Sequence, residues 1–120
     1  MSDLHLEFGV VEVPRCTADV VVLAGDIHVG DKGLAWAQHT FPEQQVVYVL
    51  GNHEYYGNLF HRLALELAGL ARGTNVHVLE RGTVEIDGVC FLGCTLWTDF
   101  ALFGTAERGR ALAGDRKSVV

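Results

Sequence analysis

The chain has 120 residues, 49% of them hydrophobic and 20% charged, with a formal net charge of −6. That is one small domain with enough apolar material for a core, and the acidic balance excludes general nucleic-acid binding, because counterion release needs clustered lysine and arginine. No apolar run approaches the roughly 20 residues that cross a bilayer, and no basic segment followed by an apolar one opens the chain, so a cytoplasmic protein without a membrane partner is expected.

In chain order, the first chemistry-bearing residues are Asp3 and His5 in "SDLH". Asp19 to Ala24 then forms a continuous β-branched run ended by Gly25, the pattern of a parallel strand buried on both faces. Asp26 and His28 follow at once in "AGDIH". Over residues 31–41, Leu34, Trp36, Ala37 and Phe41 have helical spacing, with Pro42 as a stop.

Val46 to Leu50 repeats the strand pattern and runs into Gly51, Asn52, His53 and Glu54. Leu59, Phe60, Leu63, Leu67 and Leu70 then predict an amphipathic helix closed by Gly73. From Asn75 the sequence alternates, and Asp87-Gly88 between "TVEI" and "VCFLG" is a two-residue hairpin signal. Beyond Trp97 the pattern fades into a stretch able to start a helix or a lid.

Cys16, Cys90 and Cys94 form an odd set without a CxxC pair and are expected as reduced, buried thiols. Residues 115–120, "DRKSVV", resemble translated cloning-adapter sequence, so residues 1–114 are taken as the domain and 115–120 as a non-native tail.

In open α/β sheets the ligand crevice lies outside the carboxyl ends of the strands, which brings Asp26 and Asn52 side by side. Gly25 and Gly51 let each strand end turn sharply there. Taken singly, these residues have plain explanations: Asp after Gly makes turns and helix caps, "GNH" is an ordinary turn, and Asp-x-His near a terminus is often solvated. Turn chemistry does not explain why they recur at successive strand ends. A divalent cation pair does, because a carboxylate can bridge two ions and bare carboxylates would otherwise repel.

The stretches "SDLHLEF", "VLAGDI", "GNHEYY" and "LGCTLWTDF" resemble a bacterial branch of the calcineurin-like metallophosphoesterase superfamily, whose pattern runs D-x-H, G-D, G-N-H-[ED]. The resemblance implies a partial calcineurin-like αββα sandwich and a hydrolase of phosphoester bonds, its substrate a phosphorylated small molecule or other phosphoester. Two divalent metal ions, manganese, iron or zinc, are implied: Asp3 and His5 bind the first, Asp26 bridges, and Asn52 binds the second. His53 is then the catalytic residue facing the phosphoryl group, with Glu54 and His28 as candidate supports around the ligands. His39, His61 and His77 are expected to be structural or solvated, Trp97 to pack in the core, and Asp99 to approach the cleft.

The family's later G-H and G-H-x-H motifs are absent from this sequence, and only Met1 and Ser2 precede Asp3 where members carry a strand. A chain truncated at both ends and inactive alone is therefore expected. The rival reading is a catalytically incompetent fragment or degenerate metal-binding α/β module. A Rossmann-type module is disfavoured, since no G-x-G-x-x-G follows the first strand.

Overall fold

The computed structural model describes residues 1–14, 17–102 and 104–113. Two layers of helix and hairpin enclose a small parallel sheet. Strand β1 (Val20–Ala24) leads through helix α1 (Lys32–Thr40) to β2 (Gln45–Val49), and helix α2 (Phe60–Leu70) leads on to β3 (Val76–Val78). The three strands are parallel in the order β1-β2-β3, with Val21 opposite Val46 and Val46 opposite Val76. Both crossovers step in the same direction, so right-handed connections place both helices on one face.

That face carries the main core. Val21, Leu23, Val46, Tyr48 and Val76 meet Leu34, Ala37 and Phe41 from α1 and Leu63, Leu67 and Ala71 from α2. Leu63 and Leu67 lie one helical turn apart on the buried stripe of α2, each contributing ~1.5–3 kcal/mol by leaving water. Helix α2 ends at Leu70 with Ala71 as its cap, and Gly73 takes a positive φ of 76° in the turn beyond rather than capping the helix directly.

The opposite face of the sheet is covered by an antiparallel hairpin, β4 (Gly82–Ile86) and β5 (Val89–Gly93), turning through Asp87-Gly88. Ile86 and Leu79 are buried with Val47 in a second cluster. A side chain at Gly93 would collide with Val49 and Leu79, so its glycine permits this close approach. Because the hairpin lies over β2, Val22 on β1 stays 41% exposed, and β1 is not buried on both faces as its sequence implies.

Residues 1–6 run parallel to the end of β1. Met1 donates its ammonium to Val22 O and accepts from Ala24 N, while Asp3, His5 and Leu6 donate backbone N–H groups to Gly25, Asp26 and Ile27. The β1 edge is thus occupied at its carboxyl end. The segment is no regular strand, because Asp3 and His5 have φ of 54° and 47°.

Residues 106–113 form a short helix, α3 (Ala106–Ala113). Cys90 and Cys94 are free thiols as expected, but Cys90 is exposed on the outward side of β5; Cys16 and residues 115–120 lie outside the described residues. Trp97 is half exposed rather than buried, its ring 5.7 Å from Tyr55 and 5.3 Å from Phe60.

Candidate metal centre

The carboxyl ends of β1 and β2 meet back to back. Gly25 has φ of 86°, and a Cβ there would strike the backbone of Gly51; a Cβ on Gly51 would strike the Asp26 carboxylate. The two glycines therefore let the strand ends approach each other closely. Asp26 itself turns left-handed, with φ of 55°. Asp3, His5 and Asp26 each adopt a conformation costing a non-glycine residue ~1–2 kcal/mol, so the surrounding structure has to hold them in it.

Glu54 holds the two strand ends together. Fully buried, it accepts four hydrogen bonds: Oε1 from Ile27 N (2.8 Å) and Tyr48 Oη (2.9 Å), and Oε2 from Asp26 N (3.1 Å) and Gly51 N (2.8 Å). A buried carboxylate is tolerated only when so satisfied. Burial and the neighbouring Glu54 carboxylate push the Tyr48 phenol far above its ordinary value, so it remains a donor. Gly33 of α1 fits against this phenol, where a Cβ would clash.

On this frame Asp3, His5 and Asp26 bring one ligand atom each within 4.8 Å of one another, and so do His5, Glu7 and His53. His5 belongs to both groups. No ion pair among the described residues brings a lysine or arginine to these carboxylates. Nitrogen and carboxylate oxygen donors crowded together without a cationic side chain suit a divalent cation.

His53 is fixed from several sides. Its backbone N–H donates to Asp26 Oδ1 at 2.8 Å, its Nδ1 lies 2.6 Å from Glu7 Oε1, and its ring sits between those of His5 (4.2 Å) and Tyr56 (4.3 Å). Asn52 occupies the exposed start of the same turn, with Nδ2 donating to Tyr56 Oη at 2.7 Å. His28 accepts at Nδ1 from the Val29 N–H (2.7 Å) and joins neither cluster. Asp99, exposed, accepts from Ala101 N and also joins neither. His77 Nε2 pairs with Gln45 Oε1 across β3 and β2, a structural role as expected.

Glu7 received no role from its sequence, yet it stands at the centre of the second cluster. Burial alone would raise its carboxyl, but hydrogen bonds from its own backbone and from His53 and His5 outweigh that and hold it below the ordinary glutamate value. Its Oε2 is buried without a hydrogen-bond partner. The available signal was the alternation Asp3, His5, Glu7 in "DLHLE", which repeats a metal-type side chain every second residue.

No helix among the described residues is long and apolar enough to cross a membrane. Comparison with protein-family models, with curated proteins and with solved structures finds no match. The chain is a small mixed α/β domain carrying two His/Asp/Glu clusters whose composition is consistent with metal binding.

Proposed function

We propose that this chain carries the site of a metal-dependent phosphoester hydrolase of the calcineurin-like type. The convergence of Asp3 and His5 from the N-terminal segment with Asp26 at the end of β1, and His53 held beside them at the end of β2, is the observation that carries this reading. The donor set fits a divalent cation: Asp3, His5 and Asp26 would hold one ion, and Asn52 would contribute its side-chain oxygen to a second. Manganese, iron and zinc all suit such nitrogen and oxygen ligands. A bound cation supplies Lewis acidity, which neutralises phosphoryl charge and eases deprotonation of the attacking water.

The chain's own residues do the rest. His53 hydrogen-bonds the phosphoryl oxygens and gives a proton to the leaving oxygen as the ester bond breaks. Glu54 keeps the Asp26 and Gly51 amides fixed, so that the ligand carboxylate and the His53 turn keep their spacing. The exposed Asp3 and Asn52 form the side from which a phosphoester enters.

Hydrolysis of 4-nitrophenyl phosphate and bis(4-nitrophenyl) phosphate by the purified chain with added manganese tests the reading. Any turnover should require the metal and vanish with a chelator. His53→Ala should lower turnover on the order of 10²-fold or more with metal content retained, whereas Asp26→Asn should lower the metal content itself. Equal loss of turnover and metal in His53→Ala refutes the role of His53. Bound metal without any turnover assigns the chain to the non-catalytic metal-binding class instead.

A further inference from the structure

Phe8 stands at the candidate metal centre and takes no part in the core. It belongs to neither hydrophobic cluster and is 80% exposed. Among the described residues its ring contacts are with His5 at 6.0 Å and His53 at 6.2 Å.

Single apolar residues on a surface are ordinary. This one is held in place, because the Phe8 N–H donates to His5 O at 2.9 Å and closes the turn that carries Glu7 into the second cluster. The Tyr56 ring meets His53 at 4.3 Å, so Phe8, His5, His53 and Tyr56 form a continuous chain of rings across the site. Rings attract one another at centroid spacings of about 4.5–7 Å, so a planar group lying on Phe8 would sit next to whatever the imidazoles face.

The charge pattern points the same way. No ion pair among the described residues brings a lysine or arginine to the cluster, so a second phosphate or a carboxylate on the substrate would find no counter-charge of that kind. One phosphoryl group with an apolar, planar remainder matches both features.

We propose that Phe8 is a specificity residue of the site, stacking against a planar aromatic group carried by the phosphoester. That group is an aryl ring attached to the ester oxygen or a nucleobase one sugar further on. The proposal rests on the reading of the centre as a phosphoester site. Phe8 grips the organic remainder and takes no part in bond breaking.

Calorimetric titration of the full chain with manganese tests it, using phosphonates, whose P–C bond resists hydrolysis. Phenylphosphonate should bind about tenfold tighter than methylphosphonate. In F8A the two affinities should converge, and in F8W, which keeps a ring, the preference should persist. Equal affinities in the wild type, or a preference that survives F8A, overturns the proposal and leaves the hydrolase reading standing. A parallel loss for both phosphonates in F8A makes Phe8 a structural residue and likewise overturns it. If neither phosphonate binds, the phosphoester reading fails and the specificity role falls with it. The phosphonate analogue of adenosine monophosphate separates the two sources: tighter binding than phenylphosphonate assigns the ring to a nucleobase, weaker binding assigns it to a directly attached aryl group, and both sustain stacking on Phe8. Should F8A not fold, Phe8→Leu, which removes the ring and keeps apolar bulk, carries the same comparison.

Discussion

Tyr48 and Glu54 are the pair in which fold and site meet most closely. The phenol projects from the middle of the parallel sheet, fully buried, and gives its hydrogen to a carboxylate that also collects three backbone amides. A hydrogen bond to a charged group contributes about 1.5–3 kcal/mol, so Tyr48→Phe should lower the unfolding free energy by that amount at neutral pH. The phenol's folded pKa is raised above its ordinary value of 10.0, so its contribution is fully present below about pH 10 and is lost as pH rises toward the folded value. Urea denaturation at a series of pH values should therefore show the difference between wild type and Tyr48→Phe narrowing above pH 10; a difference constant to higher pH would show that the bond is not the source of the effect. At this scale the sequence was only partly legible. Asp3, His5, Asp26 and Asn52 stand out by type and position and Glu54 as a candidate support in the same motif, whereas the complete burial of Glu54 is not readable, since glutamate is almost never fully buried, and Glu7 shows only as the third member of an alternation.

The elements follow from short-range pattern. The two strands with their intervening helix were readable because apolar runs stop at Gly25 and Gly51 and because Leu63 and Leu67 repeat at helical spacing. The N-terminal segment was not, since it docks through backbone hydrogen bonds that leave no side-chain signature. Nor was the one-sided burial of β1, which depends on where a hairpin far along the chain settles. Glycines expose the difference between a residue that breaks an element and one that builds a junction. Gly51→Ala would drive a methyl group into the Asp26 carboxylate and should destabilise the fold by about 1–3 kcal/mol while loosening the Asp3, His5 and Asp26 cluster. Gly69→Ala, exposed near the end of α2 with nothing in its way, should instead stabilise by up to about 1 kcal/mol. Thermal denaturation of both variants checks the contrast, and matching signs would contradict the packing described for the two strand ends.

Across the whole molecule the two faces of the sheet are unequal. The helical face is closed over a continuous core, while the hairpin leaves Leu92 79% exposed and the following segment leaves Leu96 89% exposed, with Val89 and Trp97 also in solvent. Each hairpin strand also keeps an unpaired edge among the described residues. Apolar side chains beside open edges favour self-association. Leu92→Glu with Leu96→Glu should lower the weight-average mass across a concentration series in sedimentation experiments, with stability altered by no more than about 0.5 kcal/mol per substitution. An unchanged concentration dependence would place any association elsewhere on the surface.

The Glu54 cage has a consequence for how the chain folds. Asp26 and Glu54 are 28 residues apart, and the carboxylate finds all three amides only when β1 and β2 pair with Val21 opposite Val46. A slip by one residue would carry the amides of residues 26 and 27 out of its reach and leave a charge stranded in the core. The same side chain that spaces the two strand ends therefore acts as a proofreader of strand register, and a misregistered chain is penalised at the candidate metal centre itself.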